Sequence, residues 1–280
     1  MSKPLNKNDL TKHKEKAVKN LDTFLTNCID STDQHMNKKA SLLSYWIDSF
    51  TKYIKDEEDF DPAKLKAYKR GDIIKLNFGF NVGSEYGGLH YAIVINNSNP
   101  RNSSVLTVVP LTSQKDGDEV HPNDVALGTE IYRNLKLKYD TISKTLQAEK
   151  EEIDRMDRLF RGLVDISDNR LQEYEKDPNQ NADSLAEARA YLEFAKAIHA
   201  EWEEKEKKNA EALRQLEKIG AEISRMKVGS IALVDQITTV SKMRIYDPRN
   251  ARGVLSGIRL SPESLDKVNE KIKELFIFQS

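Results

Sequence analysis

Cysteine and long apolar runs are what this sequence has least of. Cys28 is the single cysteine in 280 residues, which excludes an intramolecular disulfide and any metal site built from several cysteines. No apolar run approaches the roughly 20 residues that span a bilayer, and the segment 1–16 has no apolar core of the kind a secretory signal needs. A reducing compartment suits such a chain. We therefore expect a soluble, cytoplasmic protein without a membrane partner.

An excess of charge of one sign is also missing. Lysine and arginine number 44 against 45 for aspartate and glutamate, which gives a formal net charge of −1 at pH 7. A nucleic-acid partner would therefore need a local basic patch rather than the field of the whole chain. Charged residues nevertheless make up 32% of the sequence, which indicates that much of the chain is solvated helix surface.

Two helices are predicted in the N-terminal region, residues 1–66, because apolar residues recur there at three- and four-residue steps. The first helix carries Leu10, Ala17, Leu21, Phe24 and Cys28, and the second carries Leu42, Leu43, Trp46, Ile47, Phe50 and Tyr53. The segment STDQHMNKK separates them, and the acidic linker KDEEDFDP ends the second. We interpret Trp46, like Trp202 further along the chain, as a packing anchor.

The region 67–129 has the short period of strands. Its segments DIIKLNF, YAIVIN and SVLTVVPLT are rich in β-branched residues and bounded by Gly, Asn, Ser or Pro, as is typical of a compact antiparallel sheet. Pro110 lies within the third segment, where its missing N–H predicts a bulge or a strand edge.

Heptad spacing dominates the region 130–227. Two runs of apolar residues at alternating four- and three-residue steps are joined by KDPNQNAD, in which Asp183 is placed to cap the second helix. This pattern predicts an antiparallel coiled-coil hairpin with arms of about 60 Å. His199 and Asn209 lie on the predicted seam, where polar residues commonly set the register.

Residues 228–280 return to strands and close with a helix. GSIALVDQITTVSKMRI predicts a strand, a bend and a second strand, and SPESLDKVNEKIKELF opens with a Ser-Pro-Glu helix start signal. We therefore expect the strands before and after the hairpin to share one sheet, with the coiled coil as an insertion.

The segment GSEYGGLH, residues 83–90, interrupts two good strands. A simple connection would need only a two-residue turn, whereas this one places Glu85 and His90 in a glycine-rich backbone. We interpret it as a hairpin loop that takes part in chemistry.

The order of these segments resembles that of the MazF/PemK toxins of bacterial toxin–antitoxin systems. The shared pieces are RGDIIKLNFGFNVGSEYGGLHYAIVINNS, TVVPLTS and GSIALVDQITTVSKMRI followed by a helix, over about residues 68–129 and 228–276. The resemblance implies an α+β fold, a small SH3-like β-barrel, here with N-terminal helices and an inserted antiparallel coiled-coil hairpin. It also implies a homodimer, an antitoxin protein as partner, and an endoribonuclease that cleaves single-stranded RNA without a metal or other cofactor.

The resemblance assigns roles to residues at matching positions. Asp235 falls where PemK-type members carry a catalytic aspartate, and Thr112 falls where MazF-type members carry a catalytic threonine. Glu85 and its neighbour Ser84 lie in the loop that lines the RNA groove, and Gln236 is a candidate base reader. Attack of the 2′-hydroxyl on the adjacent phosphate needs a base, an acid and donors for the developing charge.

Two departures from the family pattern remove positive charge. The family's Gly-x-Arg-Pro reads GLHY here, so His90 replaces a catalytic arginine and Tyr91 replaces the proline. The family's Gln-x-Arg-Thr reads QITT, so Thr238 replaces a second arginine. Histidine can move protons near neutral pH, but it is not a permanently charged phosphate clamp. Either His90 acts as the acid or the site is inactive.

A basic cluster follows the last predicted strand and offers the local patch that RNA would need. Its members are Lys242, Arg244, Arg249, Arg252 and Arg259. A solvated surface is the structural alternative for this cluster. Equally, His90 can be a loop residue bonded to backbone, Asp235 the cap of a bend, and Thr112 an ordinary strand hydroxyl.

Two further hypotheses compete with or modify the ribonuclease. The first is a catalytically degenerate barrel that binds RNA or protein and assembles through its coiled coil, which the two missing arginines favour. The second is a built-in antitoxin, in which the N-terminal helices occupy the groove and the acidic residues 56–61 imitate phosphates.

Overall fold

The computed structural model describes residues 6–114, 117 and 119–277, so the outermost residues of the two predicted terminal regions lie outside the described part. Two helices come first, α1 (Lys7–Ile29) and α2 (Gln34–Asp56), as the apolar spacing predicts. Asn6 and Asp33 cap them by accepting hydrogen bonds from Asp9 N and His35 N. The turn between them is held by Asn37, whose amide donates to three carbonyl groups at the end of α1.

Seven strands form one antiparallel sheet. The strands are β1 (Ile73–Asn77), β2 (Leu89–Val94), β3 (Val105–Gln114), β4 (Asp124–Gly128), β5 (Gly229–Leu233), β6 (Thr238–Ser241) and β7 (Ile245–Asp247). They pair in the order β4-β5-β3-β2-β1-β7, and β6 pairs with β3. The prediction that segments on both sides of the inserted helices share a sheet is therefore confirmed.

The sheet is open, which corrects the barrel that the family resemblance implies. Within the described ranges the hydrogen-bonded path ends at β4 on one side and at β7 on the other. The strand β7 has only three residues, and its register against β1 shifts between Lys75 and Leu76. Such an irregularity increases local twist and terminates pairing. The α+β class with an antiparallel sheet is confirmed.

Pro110 marks the point where β3 changes its neighbour. On one edge, Val105–Val108 pair with β6, and Leu111–Gln114 pair with β5. Pro110 lies between these two segments, and on the other edge of β3 it pairs in register with Ala92 of β2. The missing N–H of Pro110 is tolerated because the first edge of β3 changes its partner strand at this position. A change of partner thus takes the place of the predicted bulge.

Two long helices follow β4, α3 (Glu130–Lys176) and α4 (Ala182–Arg225), and they run antiparallel against each other. Ser167 Oγ donates to the Ala188 carbonyl at 2.9 Å, and Lys205 pairs with Glu152 further along the two helices. Because α4 begins at Ala182, Asp183 lies in its first turn rather than at the cap position predicted for it. Coiled-coil packing of this pair stays a prediction.

The sheet buries apolar residues on both faces. Ile73, Ile93 and Val109 form one core with residues of α3, α4 and the last helix, α5 (Pro262–Phe276). Their neighbours Ile74 and Val108 point to a second core on the opposite face, as strand alternation requires. The Ser261 side chain caps α5, in agreement with the predicted start signal. Among the described helices, none is long and apolar enough to cross a membrane.

The helix pair is anchored at both of its ends, to α5 at one end and to the sheet at the other. At the start of α3, the Glu130 carboxylate accepts from Ser261 N and from the Ser264 hydroxyl. At the end of α4, the Glu222 carboxylate accepts from Lys75 Nζ of β1 and from the Tyr91 hydroxyl of β2. Burial raises the pKa of Glu222, but these two hydrogen bonds outweigh it and lower the pKa overall. Tyr91, the residue in place of the family proline, therefore serves as an anchor.

We predict that Glu222→Ala lowers the free energy of unfolding by about 2 kcal/mol, because it leaves the Lys75 amine and the Tyr91 hydroxyl without their acceptor. The Lys75 and Glu222 side chains are only 18% and 13% exposed, so water cannot fully replace the lost bonds. Urea unfolding measures the change. Glu204→Ala is the matched control, since its pair with Lys208 on the same helix is exposed; equal losses for both variants would contradict the anchor.

Candidate functional site

A polar cavity of about 410 Å³ lies where the glycine loop, residues 79–88, meets the segment after β5. Residues from four separate parts of the sequence enclose it, and the sheet brings them together. Its lining consists of Phe78, Asn81, Glu85, Tyr86, Pro110, Asp235, Gln236, Ile237, Thr238, Val240 and Arg244. Four of the site residues predicted from the sequence, Glu85, Asp235, Gln236 and Arg244, therefore share one cavity.

Backbone hydrogen bonds hold the glycine loop in shape. Gly88 N donates to Gly79 O at 2.7 Å, and Asn81 Nδ2 closes the loop by donating to Tyr86 O at 2.7 Å. Gly79 has φ +92°, and a Cβ there would lie 2.8 Å from the Trp46 ring. Both the backbone angle and the close approach of α2 require glycine at this position. The loop is thus a defined structure that presents Glu85 to the cavity.

The β3–β5 pairing places Asp235 and Gln236. Thr112 lies opposite Ile231 in this pairing, and β5 then runs into a 3₁₀ turn that contains both residues. The Asp235 carboxylate is exposed at the cavity. Gln236 Oε1 accepts a hydrogen bond from Tyr86 N at 3.2 Å, so the glycine loop and the turn contact each other directly. The two amide N–H donors of Gln236 bond to none of the residues that the structure describes, so a ligand can use them.

Thr112 is linked to the cavity through Tyr86. The Tyr86 hydroxyl donates to Leu111 O at 2.7 Å, near the Thr112 side chain. Burial raises the pKa of Tyr86 to about 12, and the nearby Thr112 side chain opposes that rise. The phenol is therefore neutral near neutral pH. Tyr86 lines the cavity, whereas Thr112 does not.

His90 lies beside the cavity rather than in it. Its ring is 4.6 Å from the Tyr86 ring, centroid to centroid, and it lines an adjoining crevice together with Trp46 and Glu85. Burial lowers the pKa of His90, and the positive charge of Lys75 lowers it further. The neutral imidazole is favoured, so His90 does not restore the charge of the arginine that it replaces.

Arg244, a member of the predicted basic cluster, places a positive charge at the cavity. Its Nη2 donates to Phe78 O at 2.8 Å, and its guanidinium carbon lies 4.9 Å from the centroid of the Trp46 ring. The Nε atom is buried and has no hydrogen-bond partner among the residues that the structure describes. Burial lowers the pKa of Arg244 from its ordinary value, but an arginine stays protonated in proteins. The cavity therefore contains a cation despite the departures at positions 90 and 238.

The other residues of the predicted basic cluster lie apart. Lys242 is buried, 1% exposed, and donates to the Pro100 and Arg101 carbonyls, which is at odds with the surface RNA contact predicted for it. Arg252 forms an ion pair with Glu211 of α4 at 3.4 Å. The remaining predicted RNA contacts, Ser84 and Arg249, are exposed but line no part of this cavity.

The N-terminal helices leave this cavity open. In the described chain no residue of α2 is part of its lining. The acidic Asp56 and Asp59 face a different pocket, which they share with Arg249 and Met243. These positions do not support the hypothesis that the helices act as a built-in antitoxin of the groove.

Asp124 is a residue that sequence reasoning missed. It lies at the start of β4, opposite Leu233 of β5. Leu233 precedes Asp235 by two residues. Its Oδ1 is buried, again without a hydrogen-bond partner within the described ranges. Burial raises the pKa of Asp124 and the charge of Asp235 raises it further, while His121 opposes the rise. No motif around HPND marked this residue, because the pairing of β4 with β5 alone brings the two carboxylates near each other.

Residues 69–175 match the family model described as PemK-like, MazF-like toxin of type II toxin-antitoxin system. The matched segment contains β1 to β4, the glycine loop and nearly all of α3. No curated protein matches the chain. Asp235, Gln236 and Arg244 lie outside the matched segment, and the pairing of β5 and β6 with β3 places them beside it.

We predict that Asp124→Asn stabilises the protein at neutral pH relative to the wild type. The folded-state pKa lies above the ordinary value of 3.8, so the native state holds the proton more tightly than the unfolded chain does. Stability then falls as the pH rises from the unfolded pKa through the folded one. Asp124→Asn lacks this loss, so its stability advantage in urea unfolding should grow as the pH rises above 3.8 and level off once the pH exceeds the folded-state pKa.

Asp235→Asn is the informative comparison for that experiment. It removes the like charge but leaves Asp124 buried. The stability should therefore change by less than in Asp124→Asn, with the same dependence on pH. A stability difference for Asp124→Asn that does not vary with pH would contradict the raised pKa.

Proposed function

We propose, on the premise that this chain belongs to the PemK/MazF toxin family through residues 69–175, that it is the toxin of a type II toxin–antitoxin pair and an endoribonuclease. Its substrate in this proposal is single-stranded RNA, cleaved without a metal ion. One observation supports it above the others: Glu85, Asp235, Gln236 and Arg244 meet at one cavity although they come from distant parts of the chain.

The cavity offers the groups that attack by a 2′-hydroxyl requires. The exposed Asp235 carboxylate accepts the hydroxyl proton, and the 2′ oxygen forms its bond to phosphorus. The bond from phosphorus to the 5′ oxygen then breaks, and that oxygen takes a proton from water, which reaches the open cavity. Arg244 stabilises the negative charge that develops on the phosphoryl oxygens. Its partly buried position strengthens this interaction relative to one in bulk water.

The neighbouring residues position substrate and loop. The free amide N–H groups of Gln236 can donate to a base edge, which would give sequence preference. Thr112 and His90 both contact Tyr86, so in this proposal they fix the wall of the cavity. Glu85 accepts a hydrogen bond from Val82 N at 3.2 Å, which keeps its carboxylate with the loop at the lining of the cavity.

The domain division follows from the same proposal. Residues 67–129 and 228–280 form the toxin domain, while 1–66 and 130–227 are additions to it. Homodimerisation and capture by an antitoxin belong to the toxin domain. The helix pair of 130–227 acts as an assembly element, packed as a coiled coil.

Cleavage of a mixed-sequence single-stranded RNA in EDTA tests this function. We expect Asp235→Asn to reduce the rate by about 100-fold or more, the usual contribution of a positioned base. Arg244→Lys keeps the charge but loses the planar donor fork, and we expect a loss of about 100-fold. Asp140→Asn is the matched control, because Asp140 is an exposed carboxylate of α3 away from the cavity.

Equal rates for the wild type and Asp235→Asn would refute the catalytic proposal. Retained RNA binding without cleavage by the wild type would instead support the degenerate binding module. Circular dichroism of each variant distinguishes a lost group from a lost fold, which matters for Arg244 because it also contacts Trp46 and Phe78.

A further inference from the structure

A second crevice, of about 500 Å³, lies between α2 and the glycine loop. It adjoins the cavity described above, because Asn81 and Glu85 line both. One wall comes from the glycine loop and the first residues of β2, and the other comes from α2. A strand of RNA that leaves the cavity along the loop therefore enters this crevice next.

Four aromatic side chains contribute to the crevice. Tyr45, Trp46, Phe80 and His90 all line it, and the Tyr45 side chain is 75% exposed. An exposed aromatic ring on a helix is a ready surface on which a base can stack. His90, whose neutral form is favoured, adds a ring that both donates and accepts hydrogen bonds.

Packing contacts of Trp46 hold α2 against the glycine loop. Trp46 packs on Arg244 and against Gly79, and its ring also contacts Phe50 and Tyr53 of the same helix at centroid distances of 5.7 and 6.3 Å. Trp46 is therefore the packing anchor that its sequence position predicts. Because this anchor is fixed, its neighbour Tyr45 is held at the edge of the crevice rather than on a mobile arm.

Charge on the N-terminal helices favours a polyanion. α1 carries five lysines and three carboxylates, and α2 carries four lysines and two carboxylates. Lys38 itself lines the crevice. The excess of cations is the local contribution that RNA binding needs in a chain of nearly zero net charge.

We propose that this crevice is a nucleobase subsite, in which a base of the single-stranded RNA flanking the cleaved bond stacks on Tyr45. The inference rests on the proposed function, and it assigns a substrate-binding role to residues outside the segment that matches the toxin family. Since stacking tolerates every base, the subsite contributes affinity along the strand rather than sequence choice.

Fluorescence anisotropy of 5′-labelled single-stranded RNA tests the subsite, with the full chain carrying Asp235→Asn to prevent cleavage. We expect Tyr45→Ala in this background to weaken binding of a ten-nucleotide RNA by about 10-fold, a typical effect of losing one stacked base. Tyr45→Phe keeps the ring and should bind like the parent. Phe194→Ala is the matched control, because Phe194 is an exposed aromatic residue of α4, 59% exposed.

Each outcome decides between separate claims. If the parent binds no RNA, the proposed function fails and the subsite fails with it. If the parent binds RNA but Tyr45→Ala binds equally well, only the subsite is overturned. A loss of the same size in Tyr45→Phe also overturns it, because the hydroxyl and not the ring would then be the contact. Thermal unfolding should be alike for all these variants, since the Tyr45 side chain is largely exposed.

Discussion

The pairing of β3 with β5 is the constraint on which the candidate site depends. It joins residues more than 100 positions apart in the chain, with Thr112 opposite Ile231, across the whole length of the inserted helices. Asp235 and Gln236 follow directly from that strand and reach the glycine loop only because of this register. A slip by one residue would turn Ile231 and its neighbours to the opposite face and move the turn away.

The two long helices are compatible with this pairing because one of their ends is bonded to α5 and the other to the sheet. Glu130 bonds the start of α3 to the first turn of α5, and Glu222 bonds the end of α4 to β1 and β2. A long segment between two paired strands can be accommodated when its ends lie close together, since loop-closure entropy grows slowly with length. The extended helix pair can thus project from the sheet without disturbing the cavity.

Local sequence patterns predicted most elements but not the edges of the sheet. Helix periodicity identified α1, α2 and α5 because each has one apolar face, and β-branched segments identified β1 to β3. The open path and the change of neighbour at Pro110 were not predictable, because they depend on which strands compete for the edges of β3. Asp183 was predicted as a cap, yet the cap position is Asn181, two residues earlier, as helix ends commonly vary.

The sequence by itself determined the α+β class and the family resemblance, and it named Glu85, Asp235, Gln236 and Arg244 as candidates, because these follow from order, period, short motifs and a cluster of basic residues. Tertiary structure alone decided where the charge lies. Arg244 enters the cavity and Lys242 is buried two residues away, because a 3₁₀ turn directs the two side chains differently. No local sequence pattern indicates that Trp46 lies next to Gly79 or that Asp124 lies near Asp235. Both contacts result from packing between segments that are distant in the sequence.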